Sequence, residues 1–408
     1  MITKNVLCDK YFVYHRVHFL LYTIIFSHIH YFEVMYVKKI IIAIILIFTI
    51  NCVNVSAISV SAEYACVIER DSAEIVYSKN ANVKYPMAST TKIMTALIAL
   101  ENSDMTDIVT ASKNAASQEG SSIYLRVNDR IHMEDLIYGL MLNSGNDAAV
   151  AIAEHIAGNT DEFAKMMTKR ANEIGAINTQ FKNPNGLDAD GHYTTAYDLA
   201  LITREAMKNP TFREIVSTKS KKVTLENNGA DIYLSNHNKM LKIYDGANGV
   251  KTGYTRATGR CLVSSAQRND MNFIAVTLNA PNDWTDHKNM LDYAFNVYER
   301  KTVLKKDDVI KTMQIQGGKL EVGIENDVDI TARKSGESTC EAVLHLSDSL
   351  KAPINKNEKV GIVEIKQNGT VIRKEDIIAK NEIKADEQTQ NGGWLKKIKS
   401  IFLNKFGR

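Results

Sequence analysis

Cysteine, proline and an excess of either charge are scarce in this chain of 408 residues. Five cysteines and five prolines beside 45% hydrophobic residues exclude a disulfide-rich scaffold and a collagen-like or low-complexity protein. Fifty basic against 47 acidic side chains give a net charge of +3, which is too balanced for a dedicated nucleic-acid binder. The composition is that of a globular chain long enough for two ordinary domains.

Motifs for metals are also missing. The cysteines show no C-x-x-C spacing that would suggest zinc. The run DADGH at residues 188–192 has no glutamate to complete a calcium loop, so a turn is expected there. The four histidines within residues 15–30 lie outside any foldable unit. We therefore expect no cofactor and no metal.

The apolar stretch at residues 40–50 is too short to span a bilayer, which needs about 20 residues. Lys38 and Lys39 precede it, and the small residues 55–57 follow it. This order is typical of a secretory signal peptide, with cleavage after Ala57 or Ala62. Because such a peptide begins near its basic residues, we expect translation to start at Met35, with residues 1–34 an upstream extension.

The C-terminus predicts a basic amphipathic helix at residues 394–408. Its apolar residues share one helical face, and it carries five basic side chains and no acidic one. Such a helix binds the interface of an anionic membrane. The alternative is a helix docked on the body of the protein. The expected location is extracytoplasmic, with peripheral attachment to the outer face of the cytoplasmic membrane.

Strands and helices between these ends mix without a regular βαβ repeat, which predicts an α+β fold. After residue 301 the texture changes to short β-type runs separated by Gly, Asn or Asp, as in a small all-β domain. The predicted divisions are an extension with signal peptide at 1–57, an α+β domain at 58–303, a β-rich domain at 304–384, a linker at 385–393 and the amphipathic helix at 394–408.

Two short motifs bring together a nucleophile and possible bases. Ser89 and Lys92 form S-x-x-K at the start of a predicted helix, where i,i+3 spacing places hydroxyl and amine on one face. A lysine can activate a serine if burial lowers its pKa. Ser144 and Asn146 form S-G-N in a loop between two helical stretches, where they can relay a proton and bind a substrate amide.

The third motif is K-T-G at Lys251, Thr252 and Gly253, on a predicted strand. Gly253 leaves room for a substrate to lie against the strand as an added β-partner. Lys251 supplies positive charge, and Thr252 and Thr255 supply hydroxyls for a carboxylate. Each motif by itself is common, but the three in this order are specific.

With these motifs the sequence resembles the serine D-alanyl-D-alanine carboxypeptidases, the low-molecular-mass penicillin-binding proteins. The runs PMASTTKIMT, LNSGNDA, NPNGL, YDLA and GVKTGYT carry the likeness over the mature chain. It implies a penicillin-binding, β-lactamase-like transpeptidase-type domain with an antiparallel sheet flanked by helices. A small all-β domain and an amphipathic helix follow in that family.

The resemblance also implies roles for residues. Ser89 would attack the carbonyl between two D-alanines of a peptidoglycan stem peptide, with Lys92 as general base. Backbone N–H groups of Ser89 and Tyr254 would form the oxyanion hole. Penicillin and other β-lactams would acylate the same serine. His237 falls where some relatives are expected to carry an arginine near the substrate carboxylate, which leaves that contact open.

Three alternatives are weaker. A β-lactamase of the same fold needs a second base, for which only Glu205 in E-A-M-K-N offers a loose match. A non-enzymatic wall-binding protein would be expected to lack the nucleophile, yet Ser89 and both lysines are present. A metalloenzyme would need a ligand cluster that the sequence does not supply.

Overall fold

The computed structural model describes residues 58–334, 339–347 and 350–385. The predicted upstream extension, signal peptide and amphipathic helix lie outside these residues, as does nearly all of the predicted linker. Within the described part of the chain, no helix is both long and apolar enough to cross a membrane.

A five-stranded antiparallel sheet forms the centre of the first domain, with strand order β2-β1-β9-β8-β7. Its strands are β1 (Tyr64–Glu69), β2 (Ile75–Lys79), β7 (Ala247–Thr255), β8 (Gly259–Arg268) and β9 (Met271–Leu278). Every residue of β9 is buried. This agrees with its nearly continuous apolar sequence, because a strand covered on both faces needs no polar alternation.

Helices cover both faces of this sheet. On one face, Ile274 and Val276 of β9 join the larger core with helices α1 (Lys92–Asn102), α3 (Met133–Leu142), α4 (Asn146–Ala157) and α6 (Ala196–Ala206). On the other face, Phe273 and Ala275 pack against α9 (Asp283–Val297). The alternation of side chains along a strand divides the two cores. The α+β architecture with an antiparallel sheet flanked by helices is confirmed.

The remaining elements of this domain lie in the connections between the sheet strands. They are α2 (Lys113–Ala116), α5 (Thr160–Ile174), α7 (Pro210–Ser217), α8 (Met240–Ile243) and the hairpins β3 (Ile108–Thr110) with β4 (Arg130–His132) and β5 (Ser220–Thr224) with β6 (Asp231–Ser235). The sequence analysis predicted none of them. Edge β7 stays unpaired on its outer side within the described part of the sheet.

The second domain consists of β-strands around its own apolar core, as expected. Strand β10 (Tyr298–Leu304) pairs with β13 (Val328–Arg333), and a five-stranded sheet has the order β11-β12-β16-β15-β14. These five are β11 (Lys311–Ile315), β12 (Gly318–Gly323), β14 (Cys340–Leu346), β15 (Lys359–Gln367) and β16 (Thr370–Ala379). The pairing of β10 with β13 starts at Tyr298, so the boundary predicted at 303/304 falls inside a strand of this β-structure.

Candidate active site

The S-x-x-K motif lies in a short 3-10 helix, Ala88–Thr91, which continues into α1 at Lys92. The sequence predicted an α-helix from residue 89. In a 3-10 helix, side chains three residues apart eclipse one another, so Ser89 and Lys92 face the same side more directly. Lys92 Nζ lies 3.0 Å from Ser89 Oγ, which is hydrogen-bond distance.

Lys92 is completely buried. Its Nζ also donates to Asn146 Oδ1 at 2.7 Å and to the carbonyl oxygen of Asn185. Burial lowers the pKa of Lys92 well below its usual value, and the nearby charge of Lys251 lowers it further, while the carboxylate of Asp147 acts in the opposite direction. A neutral amine here keeps two N–H groups for the oxygens of residues 146 and 185 and turns its lone pair toward Ser89. That amine can accept the hydroxyl proton.

The S-G-N motif forms the connection between α3 and α4. Ser144 is buried and has φ of +61°, a left-handed conformation that is uncommon for residues other than glycine. Asn146 begins α4, and its amide nitrogen donates to the carbonyl of Glu119. Asn146 therefore ties the amine of Lys92 to the loop at residues 119–125.

Asp147, which follows Asn146, fixes that loop. Its buried carboxylate accepts hydrogen bonds from Ser122 Oγ at 2.6 Å and from the backbone N–H groups of Ile123 and Leu125. Such bonds satisfy loop donors that would otherwise be buried without partners. The sequence analysis did not single out this aspartate, although a carboxyl directly after the motif at a helix start was visible.

The K-T-G motif lies on edge strand β7, next to the 3-10 helix. A Cβ atom on Gly253 would lie 3.1 Å from the backbone nitrogens of Ser89 and Thr90. Lys251 is buried, and its Nζ donates to the carbonyl of Thr252 at 3.0 Å. Burial lowers the pKa of Lys251 to about 7. The absence of a side chain at position 253 thus allows the strand to approach the serine closely.

An open pocket of about 370 Å³ joins the three motifs. Of the residues predicted for the site, it is lined by Ser89, Ser144, His237, Thr252, Gly253 and Tyr254. Lys92, Asn146 and Lys251 are buried behind this lining, where Lys92 contacts the first two motifs directly. The convergence that the sequence predicted is therefore present in space.

Thr255 was predicted to contact the substrate, but it lies outside the pocket lining. Its hydroxyl is 2.9 Å from Asp188 Oδ1 and also bonds to Thr258, and it does not line the pocket. Since side chains alternate along a strand, Thr255 faces away from Thr252 and toward the loop at 183–192. The predicted contact of Thr255 with a substrate carboxylate is not supported by this placement.

His237 lies on the exposed rim of the pocket. Partial desolvation of its ring by the pocket wall and the nearby charge of Lys251 both lower the pKa of His237. A neutral imidazole can donate or accept a hydrogen bond but supplies no charge at neutral pH. His237 is thus placed near the site without the charge of an arginine.

The loop at 183–192 contributes residues to which the sequence analysis gave no role in the site. Asn185 accepts from Lys92, and a Cβ atom on Gly186 would overlap the carbonyl of Ala88, so this loop packs directly behind the nucleophile. His192 Nδ1 accepts from the N–H of Lys182, which leaves Nε2–H to donate to Thr91 Oγ1 at 2.8 Å. Burial lowers the pKa of His192 to about 4, so the ring is neutral at pH 7.

The second base that a β-lactamase would need is not supplied by Glu205. Its carboxylate forms ion pairs with Arg170 at 2.9 Å and Lys208 at 2.6 Å, and it does not line the pocket. These pairs satisfy both oxygens at the end of α6. This observation removes the sequence feature on which the β-lactamase alternative depended.

Two family models match the chain. The D-alanyl-D-alanine carboxypeptidase model of peptidase family S11 matches residues 51–282, and the model of the penicillin-binding protein 5 C-terminal domain matches residues 298–385. The chain belongs to the D-alanyl-D-alanine carboxypeptidase family, with the β-rich domain that this second model describes.

Curated relatives and solved structures agree with this assignment. The chain is 35% identical to D-alanyl-D-alanine carboxypeptidase DacF of Bacillus subtilis, over 81% of this chain and 87% of the relative. It is 30% identical to DacC of Escherichia coli, over 86% and 90% of the two chains. The crystal structure of penicillin-binding protein 5 from Haemophilus influenzae superposes with a TM-score of 0.60 at 27% identity, over 81% of this chain and 100% of that one.

The close approach at Gly253 makes a prediction. In Gly253→Ala the new methyl group meets backbone nitrogens, so the strand and the serine must move apart. The neighbours must give by a few tenths of an ångström, which is less than the 1 Å displacement that costs on the order of 100-fold in rate. We therefore expect acylation of Ser89 by a fluorescent penicillin to slow by up to about 10-fold. Stopped-flow labelling measures the rate, and an unchanged thermal unfolding midpoint controls for folding. An unaltered rate would contradict the close packing.

Proposed function

We propose that this protein is a serine D-alanyl-D-alanine carboxypeptidase that removes the terminal D-alanine from peptidoglycan stem pentapeptides. The observation that carries the proposal is the buried Lys92 amine at 3.0 Å from Ser89 Oγ. The pocket is bordered by β7, an edge strand that is unpaired on its outer side among the residues that the structure describes. A serine with a neutral base at this distance is equipped for acyl transfer. The pocket is open enough to admit a peptide end.

In the first step, Ser89 Oγ attacks the carbonyl carbon between the two D-alanines while Lys92 takes the hydroxyl proton. The tetrahedral intermediate places negative charge on the carbonyl oxygen. Backbone N–H groups of Ser89 and Tyr254 stabilise that charge, and the short separation of β7 from the 3-10 helix supports this pairing. Ser144 passes the proton from Lys92 to the departing amine, and the C–N bond breaks.

In the second step, water attacks the acyl-enzyme and returns the proton to Ser89. The stem peptide leaves shortened by one residue. Asn146 holds the amine of Lys92 in position, and Thr252 and Gly253 position the peptide along the edge of β7. Penicillin acylates the same serine, but its ring fragment stays tethered in place of a leaving group, so hydrolysis is slow.

The activity test is release of D-alanine from diacetyl-L-Lys-D-Ala-D-Ala. Ser89→Ala is expected to lower the rate by about 10⁶-fold and to abolish covalent penicillin labelling, because removal of a comparable nucleophile has that effect. Ser217→Ala, on an exposed serine of α7, is the matched control and keeps both properties. Labelling that persists in Ser89→Ala would show that another residue is acylated. Rapid turnover of nitrocefin by the wild type would favour the β-lactamase instead.

The two buried lysines predict a bell-shaped pH profile. Lys92 acts as a neutral base, so acid that protonates it slows the reaction; its lowered pKa moves this limb far below that of a solvated lysine. Lys251 acts as an ammonium with a pKa of about 7, so alkali that removes its proton also slows the reaction. The kcat/KM for the tripeptide should therefore fall on both sides of a maximum, with the alkaline limb near pH 7. A rate that still rises above pH 9 would contradict these roles.

The proposed location is the outer face of the cytoplasmic membrane. The signal-peptide pattern at 35–57 and the basic amphipathic pattern at 394–408 support secretion followed by peripheral attachment. The substrate, a peptidoglycan stem peptide, is found on that side of the membrane. The β-rich domain lies between the catalytic domain and the proposed anchor in the sequence.

Vesicle binding tests the anchor. Deletion of residues 394–408 is expected to release the protein from vesicles that contain anionic lipid, because it removes the apolar face together with five basic groups. D-alanine release in solution should not change. Replacement of the basic residues in this segment by glutamine should weaken binding in part. Full-strength sedimentation of the truncated protein with vesicles would refute the anchor.

A further inference from the structure

The pocket wall beyond β7 carries charged residues that no step above uses. It is formed by Lys239, Arg260, Asp283 and Trp284. Arg260, on β8, lies directly opposite Tyr254 in the strand register and diagonally from Thr252. Diagonal neighbours on one sheet face are about 7–8 Å apart, within reach of an arginine side chain. Arg260 can therefore extend over the hydroxyl of Thr252.

Asp283 forms an ion pair with this arginine. It is the first residue of α9, and its side chain is only 6% exposed. One carboxylate oxygen accepts from the N–H of Trp284 at 3.0 Å, and the other lies 3.7 Å from Arg260 Nη1. A guanidinium has five N–H donors in a fixed plane, so a contact through one edge leaves others free for a second carboxylate. The side chain of Arg260 is 54% exposed, on the pocket side of the pair.

We propose that Arg260, oriented by Asp283, binds the terminal carboxylate of the departing D-alanine together with the hydroxyl of Thr252. This inference rests on the proposed function and names the residue that makes the enzyme act only at a free chain end. A cation at the leaving residue favours substrates that end in a carboxylate and disfavours peptides that continue or end in a neutral group. Arg260 is thus a specificity-determining residue.

The other basic residues of this pocket wall are less suited to bind the substrate carboxylate. His237 has a lowered pKa and is neutral at pH 7. Lys239 is exposed on the rim, and it forms no ion pair within 4.0 Å among the residues that the structure describes. An ammonium on a flexible chain binds carboxylate as a point charge, whereas a held guanidinium binds it in two hydrogen bonds. The geometry therefore favours Arg260.

The test compares two substrates, diacetyl-L-Lys-D-Ala-D-Ala and the same tripeptide with a C-terminal carboxamide. Charge-assisted hydrogen bonds contribute about 1.5–3 kcal/mol, equivalent to about 10- to 100-fold. In Arg260→Ala the kcat/KM for the acid should fall by that factor while that for the amide stays constant, so the preference for the acid is lost. Arg260→Lys should restore part of it. Release of D-alanine or D-alaninamide is measured by mass spectrometry.

Controls separate this inference from the proposed function. Arg256→Ala removes the same charge from an exposed position on the same hairpin, outside the pocket, and should keep the wild-type preference. Asp283→Asn, which loosens the arginine, should raise KM for the acid more than it lowers kcat. Loss of preference in Lys239→Ala but not in Arg260→Ala, or an equal loss on both substrates, would overturn the assignment. A wild type that releases no D-alanine would instead refute the proposed function.

Discussion

The burial of the Lys92 amine beside Ser89 is the interaction on which the site depends. An ammonium in this position has lost its water, and a second buried lysine lies nearby, so the proton is held weakly. The amide of Asn146 and the carbonyl of Asn185 hold the amine in position. The fold keeps a base neutral at a pH where a solvated lysine would be charged. That state makes a serine hydroxyl a usable nucleophile.

Three elements of the first domain surround the amine of Lys92 and bury it. The 3-10 helix carries the nucleophile, the start of α4 carries the amide, and edge strand β7 closes the third side. The strand can approach only because residue 253 lacks a side chain. The same edge is unpaired in the described sheet and faces the pocket, so one strand both completes the site and offers hydrogen bonds to a peptide. The same strand, β7, therefore both closes the site around the serine and aligns the substrate with it.

The sequence predicted the residues of the active site better than it predicted the helices, hairpins and loops that connect the strands of the central sheet. Three short motifs and the change to short β-type runs were enough for the α+β fold, the β-rich domain and the convergence of Ser89 with Lys92. Helix α5 was missed although Phe163 and Met167 recur at helical spacing, because its many charged residues masked the pattern. The support from Asn185 is a backbone carbonyl that accepts across 93 residues, and no periodicity records such a contact. The turn of Thr255 toward Asp188 depends likewise on a distant loop.

A direct titration of Lys92 tests the central claim. Lysines labelled with ¹³C at the ε-carbon report their protonation state by NMR, and the signal that disappears in Lys92→Arg is assigned to this residue. The account predicts a midpoint well below the model lysine value of about 10.4. A Lys92 signal that shows a charged ammonium up to pH 9 would contradict it, because no base would then be available beside Ser89.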